Sequence, residues 1–291
     1  SFSSGLLRAH MQGDYVGVFL GITNTDFASI LMSSASVYTA TGGAISIAAG
    51  RLSFALGLQG PCESIDTACS SALVALHNAA LCVRAGDCTA GLTTAVSLVL
   101  VPLASISYAR AGMLSGDGRC RTFDARANGY VRGEGVGGLV VARQGLLSAA
   151  LTLGSSAVRQ DGKSASLTAP NGSAQAALLR LAIARAAMGA VLHSGIESHG
   201  TGTSLGDPTE IRALAQALPT QGVERAIGSV KASVGHLEPA AGMVGLTASA
   251  NLLLEQRAAP NAQLRAINRL VAASISTNLC FHAALGGTRT A

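Results

Sequence analysis

Four residues in this chain of 291 are of types that together could carry nucleophilic chemistry at a carbonyl: Cys69, His199, Lys231 and His236. Cys69 follows an extended run at 63–67 and precedes a helical pattern of Leu73, Leu76 and Ala80 that stops at Arg84-Ala85-Gly86. Arg in a last turn and Gly just beyond it are helix stop signals, and Ser70 or Ser71 can cap the start. A thiol there lies near unpaired N–H groups and the positive end of the helix dipole, which favour its thiolate. A lone Cys is more often a small buried hydrophobe. Two imidazoles alter that balance, because their N–H groups can bind negative charge developing on a carbonyl oxygen and one can move a proton. Lys231 closes an apolar run at 226–231, where burying an ammonium is costly without a purpose, and its charge would order the imidazoles. His10, His77, His193 and His282 stand in no such pattern and read as ordinary structural histidines.

The elements that must position these side chains alternate. Residues 15–21 read as a buried strand, 26–50 as helix-compatible with Asp26 as a cap, and 92–101 as another strand. Helices are expected at 173–188, ended by Gly189, from Asp207 as cap and Pro208 as first helical residue to about Leu218, and at 240–255. His199 falls in the glycine-rich loop after an extended 191–197, and His236 in the loop after the 226–231 strand. Strand ends are where open α/β sheets place chemistry. The run Gly133-Glu134-Gly135-Val136-Gly137-Gly138 leads into the strand-like Leu139-Val140-Val141-Ala142, whereas a dinucleotide turn follows a strand and opens a helix. Close backbone approach is the better reading of these glycines.

Composition sets the outer bounds. Hydrophobic residues make up 49% and aromatics 3%, with 35 Gly and no Trp, which suits a packed α/β protein and excludes an aromatic nucleic-acid platform. The net charge of +5 comes from scattered Arg residues and reads as a mildly basic surface. Six cysteines show no C-x-x-C pair and no zinc spacing, so no metal is expected, and the thiols read as reduced. That implies a reducing intracellular compartment, cytoplasmic or organellar, plastids included. The uncharged stretch 88–109 is long enough to span a membrane, but Gly91, Pro102 and several hydroxyl residues favour strand, turn and helix instead.

Three separated segments resemble, in order, the signatures of the β-ketoacyl synthase family, and most nearly the ketosynthase domains of type I modular polyketide synthases. They are Asp66-Thr67-Ala68-Cys69-Ser70-Ser71, the run from Glu197-Ser198-His199-Gly200-Thr201-Gly202-Thr203 to Gly206-Asp207-Pro208, and Ser229-Val230-Lys231 to Gly235-His236-Leu237-Glu238. Supporting blocks are Tyr38-Thr39-Ala40-Thr41-Gly42, Arg110-Ala111-Gly112-Met113-Leu114-Ser115, Thr122-Phe123-Asp124 and Gly129-Tyr130-Val131-Arg132-Gly133-Glu134-Gly135. The resemblance implies a thiolase-like α/β fold: two similar halves, at 1–145 and 146–291, in an α-β-α-β-α layered sandwich. It implies that Cys69 takes an acyl chain from the phosphopantetheine arm of an acyl carrier protein, with no bound cofactor. His199 and His236 would promote decarboxylation of a carrier-bound malonyl group, and the carbanion would attack the Cys69 thioester. Lys231 would set the histidine electrostatics, the Cys69 N–H would serve the oxyanion, and Thr201 and Thr203 would meet the pantetheine arm. Paired histidines distinguish this from relatives in which Asn or a second Cys replaces one.

The sequence departs from the family at both ends. The family carries a substantial block with the first core strand ahead of the segment at 15–21, and this sequence does not include it, so the chain reads either as a fragment or as a reduced paralogue. At the end, Leu285 stands where a gating Phe is expected and Arg289 where an Asn is. A missing core strand should leave a sheet edge and an apolar face to be covered, so a homodimer or a larger complex is expected. The other reading is a degenerate, catalytically idle ketosynthase kept as a structural subunit.

Overall fold

The computed structural model describes residues 12–23, 26–31, 36–186, 195–218, 224–275, 279–283 and 287–289. The chain divides into two compact units, neither continuous in sequence. The first comprises 1–102, 133–152 and 237–244; the second comprises 103–132, 153–236 and 245–291.

The first unit is built on a mixed four-stranded sheet. Strand β1 (Val16–Gly21) is buried at every position, the continuous apolar run of a central parallel strand. Among the described residues β1 is not itself an edge of this sheet. β1 pairs in parallel with β2 (Cys62–Ile65) on one side and β3 (Ala90–Ser97) on the other, and β3 pairs antiparallel with β4 (Gly135–Ala142). The edges are therefore β2 and β4. The run 88–109 resolves into β3, a turn and helix α5 (Leu103–Arg110), and the glycine run enters β4, as its pattern predicts. The helix-compatible stretch at 26–50 forms three helices, α1 (Asp26–Leu31), α2 (Thr39–Gly43) and α3 (Ile45–Leu56). Asp26 does more than begin a helix: its Oδ2 accepts the Leu100 and Val101 N–H groups at 3.0 and 3.2 Å, tying down the turn after β3.

Helix α4 (Ser71–Ala85) ends as expected at Gly86, in the left-handed region at φ 89°. It buries Ala72, Ala75, Leu76, Ala79, Ala80 and Val83, making it a core helix of this unit. The packing needs small residues. A Cβ at Gly21 would lie 2.8 Å from the Ala72 nitrogen, and one at Gly91 would lie 2.9 Å from the Ala79 Cβ. The start of α4 is thereby drawn onto the end of β1.

The second unit has its own four-stranded sheet, β5 (Gly195–Glu197), β6 (Arg225–Gly228), β7 (Leu279–Ala283) and β8 (Gly287–Arg289), in that spatial order. The first three are parallel and β8 is antiparallel to β7. Its core gathers Phe123, Ile211, Leu214, Ile227, Leu264, Val271, Leu279 and Phe281, with Phe123 and Phe281 edge-to-face at 5.1 Å. Helix α6 (Gly172–Arg185) starts at Asn171, whose side chain accepts the Ala174 N–H. The expected end at Gly189 and the gating position Leu285 lie outside the described residues.

Candidate active site

Cys69 sits in a single 3-10 turn, Ala68–Ser70, that leads from β2 into α4. The residue before it, Ala68, has φ 53°, a conformation unfavourable for a residue with a Cβ. Ser70 and Ser71 do not cap the helix in the expected way. Ser70 Oγ donates to the Thr67 carbonyl at 2.8 Å. Ser71 Oγ accepts the Thr67 N–H at 2.9 Å and donates to the Ala68 carbonyl at 2.7 Å. The two hydroxyls thus bind the strained turn itself, and Cys69 stays partly exposed at its apex. Within the first unit this turn packs against a second single turn, Glu238–Ala240. Glu238 follows His236 by two positions and is itself left-handed at φ 44°. Backbone strain of this kind concentrates where surrounding structure fixes it, commonly at functional sites.

The second unit brings together His199, Thr201, Thr203, Lys231 and His236. The loop carrying His199 is held from helix α7 (Gly206–Ala217). Glu210 accepts the His199 N–H at 2.6 Å and the Gly200 N–H at 2.9 Å, one on each oxygen. Asp207, expected as a helix cap, is the second residue of α7 and reaches further. Its carboxylate accepts Gly202 N–H at 3.1 Å, Thr203 N–H at 3.4 Å and Phe123 N–H at 2.8 Å. Thr122 Oγ1 donates to the Gly200 carbonyl at 2.5 Å, and Asn261 joins the Thr122 carbonyl to the Ser229 N–H. The Thr201 and Thr203 hydroxyls lie 3.3 Å apart, and Thr203 Oγ1 accepts the Gly206 N–H.

Gly200 is required where it stands. Its φ is +44°, and a Cβ would lie 2.6 Å from Thr122 Cγ2 and 2.8 Å from Ser229 Cβ. Gly200→Ala is therefore expected to cost about 2–4 kcal/mol, combining left-handed strain with overpacking. Thermal unfolding checks this, with a midpoint lowered by about 5 °C or more.

Lys231 is not in the strand where its apolar neighbours suggest it. β6 ends at Gly228, and Lys231 opens a one-turn helix, α8 (Lys231–Val234), with 4% of its surface exposed. Its charge acts on His199, His236, Glu197, Glu210 and Cys120. Burial, and next the charges of His199 and Lys231, push the His236 imidazole down to about 2. His199 keeps an exposed edge yet is closely surrounded, and burial followed by the Lys231 charge lowers it to about 4. The two rings meet edge-to-face with centroids 5.4 Å apart. Burial raises the Glu197 carboxyl to about 7 despite the Val230 N–H and the Lys231 charge. Burial likewise raises Asp207 to about 7 against its three backbone donors.

Both imidazoles are therefore neutral at neutral pH, each with an N–H to donate. Neither should titrate between pH 8 and 5.5, as NMR of the imidazole carbons would show; a midpoint near the ordinary 6.5 would contradict the burial argument. The same displacement weakens folding on the acid side. Below about pH 6.5 the unfolded chain binds protons that these folded imidazoles refuse, so stability falls with pH through that window.

Sequence reasoning singled out the histidines, the thiol and the lysine but not Glu197, Glu210, Tyr130, Cys120 or Asn261. Asp207 and Glu210, three apart on one helix, form a spacing that could have been noticed. The link from Asn261 to Thr122, 139 positions away in sequence, has no local signal.

Family models for the β-ketoacyl synthase N-terminal and C-terminal domains match residues 3–145 and 151–265. The chain belongs to the β-ketoacyl synthase family, and its fold is thiolase-like α/β. Within that family it is a ketosynthase of the polyketide synthase type. It is 43% identical over 258 residues to the spectinabilin polyketide synthase system protein NorA' of Streptomyces orinoci, covering 84% of this chain and 7% of that protein. It is 42% identical over 287 residues to the polyketide synthase ThaG of Burkholderia thailandensis, covering 93% of this chain and 5% of that protein. Among solved structures, the ketosynthase from module 6 of the bacillaene synthase of Bacillus subtilis aligns with TM-score 0.85 and 34% identity, over 92% of this chain and 48% of that one. The oxazolomycin ketosynthase domain of Streptomyces albus aligns with TM-score 0.89 and 32% identity, over 96% and 50%. The chain thus spans about half the length of the solved ketosynthase domains it matches.

Proposed function

We propose that this chain catalyses decarboxylative Claisen condensation, extending an acyl chain through a Cys69 thioester. The observation that carries the reading is the pair of neutral, crossed imidazoles of His199 and His236 beside the buried Lys231. Two N–H donors kept uncharged suit an enolate oxygen, whose charge they bind without first having to give up a proton.

In the proposed sequence the Cys69 thiolate attacks the carbonyl carbon of an acyl thioester on the phosphopantetheine arm of an acyl carrier protein. The arm's sulfur leaves as a thiolate and takes up the proton that the Cys69 thiol gave up on ionising, and the acyl group stays on Cys69. The Cys69 N–H serves the oxyanion of this step. A carrier-bound malonyl or substituted malonyl group then loses CO₂. The electron pair of the broken C–C bond becomes an enolate, whose oxygen is met by His199 and His236. The enolate carbon attacks the Cys69 thioester, the thiolate leaves, and a β-ketoacyl carrier remains. Burial and, after it, the Lys231 charge keep the imidazoles neutral, and Glu210 and Asp207 hold the loop that carries His199. Thr201 and Thr203 meet the pantetheine arm through hydroxyls already placed side by side. Leu285 belongs to the same proposal as the residue at the gating position. The partners are an acyl carrier protein and a second copy of the chain or a larger assembly, in a reducing intracellular compartment.

The experiment is a condensation assay with an acyl thioester and labelled malonyl-carrier. Labelled β-ketoacyl product that disappears in Cys69→Ala supports the enzyme. No product, from a chain that still binds the carrier, supports the idle structural subunit instead.

A further inference from the structure

His236 is held by one segment, residues 130–132, from two directions. Along the backbone, the His236 N–H donates to the Val131 carbonyl at 2.8 Å and the residue forms a β-bridge with Arg132. Across the ring, Tyr130 lies edge-to-face on the imidazole with centroids 5.1 Å apart and planes at 78°. His236 thus stands between Tyr130 and His199, in perpendicular contact with each.

The segment is itself anchored at several points. Tyr130 is 7% exposed, its N–H donates to the Met113 carbonyl at 3.1 Å and its carbonyl accepts the Ser115 N–H at 2.8 Å. Cys120, buried, grips the next residue: its sulfur accepts the Val131 N–H at 3.3 Å and donates to the Val131 carbonyl at 3.7 Å. That carbonyl is the one His236 uses. Arg132 lies over the Tyr108 ring at 5.4 Å and donates to Ser105 Oγ at 2.8 Å. A backbone hydrogen bond fixes where the His236 main chain runs but leaves the side-chain torsions open. An aromatic ring packed on the imidazole restricts those torsions.

We propose that Tyr130 is a positioning residue for His236, fixing the imidazole in the orientation that faces His199, with Cys120 holding the backbone that carries it. The inference rests on the decarboxylation role proposed for His236. Geometry at a reacting centre is sensitive enough that a small misplacement costs rate steeply.

The test compares Tyr130→Leu and Tyr130→Phe by two readouts. The first is the His236 imidazole resonance, which is independent of activity. Tyr130→Leu should shift or broaden it, and Tyr130→Phe, which keeps the ring, should leave it near the wild-type position. The second is CO₂ release from malonyl-carrier in the Cys69→Gln background. There Tyr130→Leu should lower kcat about 10- to 100-fold with KM unchanged, and Tyr130→Phe should stay within about twofold. Acyl transfer to Cys69, measured with Cys69 intact, should be unaffected by either variant. An unmoved His236 resonance in Tyr130→Leu overturns the inference, as does an equal loss of acyl transfer. If the Cys69→Gln parent releases no CO₂, the decarboxylation reading fails on its own, and the resonance still decides whether Tyr130 orients His236.

Discussion

Cys69→Gln is expected to abolish condensation, by about 10⁴-fold or more, while CO₂ release from malonyl-carrier continues. The two outcomes separate because they use different groups. Condensation needs a sulfur that forms and later expels a thioester, and an amide at position 69 can do neither. Decarboxylation needs only a site for the enolate oxygen, which in the proposed mechanism comes from His199 and His236. Position 69 is partly exposed at the Ala68–Ser70 turn, so a glutamine there is expected to be accommodated. Radiometric or coupled detection of CO₂ beside product analysis gives both numbers from one sample. Loss of both in the same proportion would tie decarboxylation to the thiol and remove the histidines from the role given them.

The complementary substitution is His236→Ala. It should lower malonyl decarboxylation about 10²- to 10³-fold, the usual effect of removing one donor from a developing oxyanion. Acylation of Cys69 should change by less than about tenfold, since the thiol is carried by a different turn. His236→Gln, whose amide can still donate, should recover part of the loss. His199→Ala is predicted to act in the same direction. The double variant should fall by less than the product of the two single losses, because the rings touch and bind the same charge. Rapid-quench measurement of acyl transfer and steady-state CO₂ release check the two arms separately.

What the sequence carried, it carried through local rules. The helix after Cys69 was readable from its apolar spacing and its Arg-Ala-Gly stop, and Gly86 does end it. The glycine run at 133–138 was readable as a strand entrance because Leu139-Val140-Val141-Ala142 follows, and it enters β4. Misread details were those in which a side chain serves a distant segment instead of its own element. Asp207 looks like a cap but spends its carboxylate on Phe123, Gly202 and Thr203. Ser71 looks like a cap but binds back to Thr67 and Ala68. Lys231 sits among apolar neighbours that mimic a strand, yet the chain turns after Gly228 because Glu197 accepts the Val230 N–H at 2.8 Å and Asn261 accepts the Ser229 N–H at 3.3 Å. The neighbours of β1 were beyond pattern reading altogether, since pairing with β3 joins segments about 74 positions apart and leaves no mark in either.

In the proposed mechanism Cys69 accepts the acyl group, and the most direct measurement is of that bond. The chain is incubated with an acyl-carrier thioester, quenched in acid, and examined by intact mass and peptide mapping. One acyl group per chain is expected, on the peptide bearing Cys69, absent from Cys69→Ala and released by a thiol nucleophile. Acylation of other thiols with Cys69 left unmodified would contradict it.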